Sequence, residues 1–197
     1  MNTFRYDLAL VGLLLIPTSV LMWVIIHPFI AFWRRVGLFG TYTLILIGEV
    51  AVAVGLFQVR EPLLAVEFGN HWAVLLCGVG TLGLAVWLRI QLHRHFSAAQ
   101  LLGFPELAPE RFPPRLVTEG LHARVRHPRY LQYLLALAGW ALVANYLAMY
   151  AILALMVPGV WLVVAFEERE LRARFGPAYD EYCRRVPRLI PRRGSQI

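Results

Sequence analysis

The chain of 197 residues contains no lysine, so all 19 of its basic residues are arginine. Cysteine is nearly absent, with Cys77 in an apolar run and Cys183 in a polar one. Two cysteines in such different surroundings give neither a disulfide framework nor the paired spacing of a zinc site. Charge is scarce, at 16% of residues, and Leu131–Phe166 is a stretch of 36 residues without Asp, Glu, Lys or Arg. Apolar residues make up 59% of the chain, and mean hydropathy is +0.59. These deficits exclude an ordinary soluble domain and a disulfide-stapled secreted one. What remains is an all-α, polytopic integral membrane protein read as a single domain over 1–197. Eight arginines fall in Arg169–Arg193 and six in Arg94–Arg129. Such blocks beside apolar runs suit an anionic membrane surface and not nucleic acid. The lipid bilayer is the expected partner, and composition does not name an oligomeric state.

About five spans are predicted, at 8–26, 36–59, 71–92, 131–145 and 147–166, the first of them nineteen residues long and so enough to cross a bilayer. The first run has no small-residue cleavage signal after it and is expected to be retained as a span. Pro17 with Thr18-Ser19 marks a kink in it. The last two spans follow from length. As one helix, Leu131–Phe166 would extend roughly 54 Å at 1.5 Å per residue, against a bilayer core of about 30 Å. It is therefore expected to fold back as a hairpin near Asn145-Tyr146. Five spans place Arg34-Arg35, the segment 93–130 and the tail 167–191 on one side, and Arg5 and Arg60 on the other. The arginine excess makes the first side cytoplasmic. The expected location is a bacterial inner (plasma) membrane with the C-terminus in the cytoplasm.

Gly78-Val79-Gly80-Thr81-Leu82-Gly83 matches G-x-G-x-x-G, but it lies inside an apolar span. It lacks the preceding strand and following acid that a dinucleotide site needs. Close packing of helices explains these glycines better. Glu49 is an acid within a span, which suits either a functional group or a hydrogen-bonded interior one.

Two polar blocks frame the hairpin. Leu116–Tyr130 reads LVTEGLHARVRHPRY, and Glu167-Glu168 opens EERELRARFGPAYDEYCRR. Pro128 opens a helix at its first position, where its missing N–H costs nothing. The first turn there favours an anion, although Arg, His and Tyr also anchor helix ends at any interface. Glu167 and Glu168 suit a bound cation or pairing with neighbouring arginines. A hairpin returns the two blocks to one membrane face. Gly176-Pro177 breaks the tail helix, with Pro177 starting the next.

Taken in order, the R-H-P-x-Y element, the hairpin and the E-E…F-G-x-x-Y-x-x-Y-x-x-x-V-P ending resemble the isoprenylcysteine carboxyl methyltransferase family. They are similar, more loosely, to the membrane phospholipid methyltransferases. The resemblance covers Leu88 to Pro191. It implies a cytoplasmic S-adenosyl-L-methionine site contacted by Pro114, Arg115, Leu116 and Val117, by His122 where the family often has Tyr, and by His127, Pro128, Arg129 and Tyr130. It also implies a carboxylate at the end of the last span, Glu167 or, with the register shifted by one, Glu168. Gln100 is aligned with a family glutamine. No metal and no Ser or Cys nucleophile is implied, since methyl transfer by direct displacement rests on alignment in a dry site. One departure bears on the acceptor. Val163 stands where the prenylcysteine enzymes carry an Arg that meets the acceptor carboxylate. The implied function is transfer of a methyl group to a lipophilic small molecule or lipid. A phospholipid amine, a small thiol, or a non-enzymatic scaffold of the same fold are the alternatives.

Overall fold

The computed structural model describes residues 3–26, 29–93, 107, 110 and 115–191. Among these residues it is all-helical, with one isolated antiparallel bridge between Glu67 and Tyr146. The helices are α1 (Thr3–Ile26), α2 (Ile30–Gln58), the short α3 (Arg60–Leu63), α4 (Trp72–His93), α5 (Pro128–Ala144), α6 (Leu147–Phe175) and α7 (Pro177–Arg185). A 3-10 turn, Gly120–Ala123, precedes α5. Three of them, Ile30–Gln58, Trp72–Leu92 and Leu147–Phe175, are long and apolar enough to cross a membrane. α2 buries almost none of its apolar surface inside the protein, which is the expected state of a helix solvated by lipid.

Several boundaries have local causes. α2 begins six residues before the predicted span because Gly37, at φ 78° and ψ 168°, joins an interfacial segment to the span through a kink. Only glycine adopts that conformation without strain. Pro17 lies inside α1, where the Thr18 hydroxyl donates to the Leu15 carbonyl at 2.9 Å. The chain reverses between α5 and α6 at Asn145, which is left-handed at φ 57°. Its side chain fixes the turn, donating to Gly69 O at 2.9 Å and accepting from the Tyr150 hydroxyl at 2.7 Å. Arg5 of α1 closes the same end. It donates to the Ala144 carbonyl at 3.1 Å and pairs with Glu67 at 3.0 Å. A buried arginine here serves the unpaired carbonyls at the end of α5.

The α4–α5 contact is the most extensive in the fold. A Cβ on Gly139 would stand 2.9 Å from both Gly78 O and Leu82 N, and one on Gly78 would stand 3.0 Å from Val143 N. Close packing thus accounts for Gly78 but not for Gly80 and Gly83, which face open space. Glu49 lines a shallow apolar groove between α1 and α2 with Thr18 and Trp33.

At the other end of the bundle, Arg34 meets Glu170 at 3.4 Å. The starts of α2 and α5 and the polar continuation of α6 therefore lie together. Arg5, Glu67 and Asn145 lie at the opposite end.

Candidate functional site

The polar end is built around Glu168, whose side chain is 0% exposed. α6 continues without a break past the charge-free part of the hairpin, so Glu167 and Glu168 are helical and face the start of α5. Glu168 Oε1 accepts from Arg126 Nε at 3.0 Å and Nη2 at 2.7 Å, and lies 3.2 Å from His127 Nε2. Its Oε2 accepts from Arg188 Nη2 at 2.6 Å. A buried carboxylate is tolerable only when paired and hydrogen-bonded in this way.

The partners of Glu168 are themselves fixed by the tail. Gly176, at φ 53° and ψ −132°, turns the chain, and Pro177 opens α7 at its first position. The end of α7 is then capped by Arg126, whose Nη1 donates to Cys183 O at 2.9 Å and to Val186 O at 2.6 Å. The backbone pairs as well, with Arg126 N donating to Pro187 O at 2.8 Å and His127 N to Arg188 O at 3.0 Å. Tyr179, Tyr182 and Val186 form an apolar plug against Leu116, Leu171 and Phe175. The Tyr182 hydroxyl donates to His122 O at 2.7 Å. Burial raises that phenol well above its ordinary range, which keeps it a donor. The Glu168 carboxylate beside Arg188 raises the guanidinium further.

Glu167 is placed differently from its neighbour. Its side chain is 28% exposed, yet Oε2 is buried and has no hydrogen-bond partner. That oxygen lies 3.6 Å from His127 Nδ1, too long for a hydrogen bond. The Tyr130 hydroxyl lies against the same carboxylate. His127 is thus held between two acids, paired to one and open to the other. Arg129 stands over the rings of Tyr130 and Tyr133, at 5.9 and 5.8 Å.

Of the residues implied from sequence, His127, Pro128, Tyr130, Glu167 and Glu168 come together, with Arg129 beside them. Leu116 joins the tail plug, and His122 contributes its carbonyl there. Val117 is half-buried in the extended segment before the 3-10 turn. Arg115 is exposed and meets Glu119 at 3.8 Å. Gln100 and Pro114 lie outside the described residues. Sequence reasoning missed the roles of Arg126 and Arg188. Arg126 is adjacent to the recognised motif, but Arg188 carries no local signal. It reaches Glu168 only through the turn at Gly176.

A cavity of about 620 Å³ adjoins this knot between α1, α4, α5 and α6. Tyr130 and Val163 form its polar-end wall, with Arg89 from α4 and Tyr133, Trp140 and Met156 further round. Tyr130 therefore borders both the Glu167 site and the cavity. Val163 is one helical turn before Glu167, buried, and packed against Tyr130.

Residues 71–178 match the phospholipid methyltransferase family. The chain is similar to methanethiol S-methyltransferases 1 and 2 of Bradyrhizobium diazoefficiens. It is 38% identical to the first over 89 residues, which cover 44% of this chain and 30% of the relative. It is 47% identical to the second over 75 residues, 36% of this chain and 27% of the relative. It is also 38% identical over 78 residues to a cobalt-zinc-cadmium resistance protein of Cupriavidus metallidurans, 39% of this chain and 36% of that one. The matched segments thus cover about a third of these relatives' own length. No solved structure matches the chain at a significant level. The matched region spans more than half of the chain and contains α4, the R-H-P-x-Y element, the hairpin and both glutamates, and on that ground this chain belongs to the phospholipid methyltransferase family.

Proposed function

We propose that the chain is an S-adenosyl-L-methionine-dependent methyltransferase that crosses the membrane five times and acts on a lipophilic acceptor. Its donor site is the polar end of the hairpin, on the cytoplasmic face. The observation that carries this is the contrast between the two adjacent acids. Glu168 is fully paired, whereas Glu167 keeps a buried oxygen with no hydrogen-bond partner beside His127 and Tyr130. A buried oxygen without a donor is costly, and an ammonium group complements it.

S-adenosyl-L-methionine supplies that ammonium, a carboxylate, and a methyl group made electrophilic by a sulfonium. Glu167 would hold the amino group. The first turn of α5, with its outward N–H groups and partial positive charge, would receive the carboxylate. Val117 and Tyr130 offer apolar and aromatic surface to the adenine. Glu168 has a different part in this reading, binding the tail to the α5 start so that Glu167 and His127 stay in register. Direct displacement then asks of the protein alignment and the exclusion of water.

A thiol acceptor is the favoured second reading over a prenylcysteine carboxylate. Two relatives bear the name methanethiol S-methyltransferase, and Val163 stands where the prenylcysteine enzymes carry their carboxylate-binding Arg.

The test is calorimetric titration of the detergent-solubilised protein with S-adenosylhomocysteine. Glu167→Gln removes a charge-assisted contact of about 2–3 kcal/mol and should weaken binding roughly 30- to 150-fold. Wild-type affinity in that variant would refute the site.

A further inference from the structure

The cavity beside the donor site has one charged wall. Its described lining is apolar apart from Arg89, Tyr130, Tyr133 and Trp140. The Trp140 N–H is already donated to Leu8 O at 2.9 Å. Arg89 is half-buried and, among the described residues, makes no hydrogen bond or ion pair. A guanidinium beside an apolar cavity without a counter-charge is a place for an anion. The described lining also contains no Asp, Glu or His, so among the described residues no carboxylate or imidazole there accepts a proton from an acceptor.

These two facts select the acceptor's chemistry. A nucleophile must reach this cavity already ionised, or ionise because Arg89 is there. A thiol, with an ordinary pKa of about 8.5, and a carboxylic acid, at about 4, do so readily beside a cation. An alkylammonium, at about 10.4, is repelled by Arg89 and finds no base among the described lining residues. Building on the methyltransferase reading above, we infer that this cavity holds the methyl acceptor, a lipophilic thiol or carboxylic acid whose anionic head is held by Arg89.

The acid gives its proton to water. A lone pair of the resulting anion forms the new S–CH3 or O–CH3 bond as the methyl–sulfonium bond breaks. The electrons of that bond remain on the donor's sulfur, now a neutral thioether. One negative and one positive charge are lost together, and the product left in the cavity is a neutral thioether or ester. It no longer has a charge for Arg89 to hold, which favours its release into the bilayer.

The experiment uses the full chain in phosphatidylcholine nanodiscs with two brominated probes, 12-bromododecanoate and 12-bromododecylamine. Bromine quenches tryptophan fluorescence at contact, and Trp140→Phe identifies the signal from the cavity. The wild type should show saturable quenching by the acid at roughly tenfold lower concentration than by the amine. Arg89→Gln should abolish that difference and Arg89→Lys should keep most of it. With S-adenosylmethionine added, dodecanethiol or dodecanoate should be methylated, the two separate arms showing which head the cavity uses, and dodecylamine should not. Equal quenching by acid and amine, or wild-type discrimination in Arg89→Gln, would overturn the inference. So would methylation of phosphatidylethanolamine in preference to both acids. S-adenosylhomocysteine titrated into the same nanodiscs separates the two claims. Its binding with a failed probe test removes the Arg89 assignment alone, while its failure to bind removes the methyltransferase reading and the acceptor role with it.

Discussion

Glu168→Gln keeps the outline of a side chain and removes the charge at the centre of the polar end. In the wild type one carboxylate accepts from Arg126 at 2.7 and 3.0 Å and from Arg188 at 2.6 Å. A glutamine accepts through one oxygen only and turns an N–H toward whichever arginine loses it. The two arginines respond differently. Arg188, with a side chain 32% exposed, can swing toward water. Arg126, at 10%, cannot leave without giving up the Cys183 and Val186 carbonyls that cap α7. Arg172 lies 3.8 Å away, is 46% exposed, and adds little. The loss therefore falls on one buried guanidinium. Breaking a buried pair from one side costs about 3–5 kcal/mol, and the freedom of Arg188 places this case near the lower end. About 3 kcal/mol is on the order of a hundredfold in the docked-to-undocked ratio of the tail. Thermal unfolding in detergent and the rate of tryptic cleavage after Arg184 and Arg185 both report it. Glu168→Gln should melt earlier and be cut faster, while Glu167→Gln should match the wild type in both and lose cofactor affinity alone. Wild-type stability in Glu168→Gln, with destabilisation in Glu167→Gln, would reverse the roles assigned to the two acids.

Gly139→Ala should destabilise the α4–α5 contact by about 1–3 kcal/mol, because the new Cβ would press on backbone atoms that cannot yield. Gly80→Ala, placed in open space, should be close to neutral in the same melting experiment. A compartment-specific reporter fused after Ile197 should read cytoplasmic and one at Met1 should read the opposite side, because Arg34, Arg126, Arg172 and Arg188 gather at the Glu168 end. Both reporters on one side would refute five spans.

The hairpin was legible because its cause is a length. A charge-free run longer than a bilayer is thick has to turn, and Asn145 tolerates the left-handed conformation the turn uses. The approach of His127 to Glu167 and Glu168 follows from that turn alone. The division of labour between the acids was not legible. It depends on helical phase, since adjacent residues on α6 point about 100° apart, and on Arg188, which the Gly176 turn delivers from the tail. Arg89 reads in sequence as a basic residue near a helix end, free to reach the interface. Its presence in the cavity wall depends on the rotation of α4 about its axis. The contact of Gly78 with Gly139 sets that rotation, and both glycines read only as small residues in an apolar run. The packing of Gly78 but not Gly80 or Gly83 has the same origin.

The backbone hydrogen bonds from Arg126 and His127 to Pro187 and Arg188 have a consequence for the order of biosynthesis. The chain is made from its N-terminus, so α5 and α6 precede residues 187–188 in synthesis. During that interval Glu168 lacks Arg188, and the Arg126 and His127 N–H groups lack the Pro187 and Arg188 carbonyls. Docking of the tail onto the start of α5 thus follows the packing of the long helices that precede it. A nascent chain stalled before Pro187 would carry every long helix among the described residues and still leave Glu168 one arginine short.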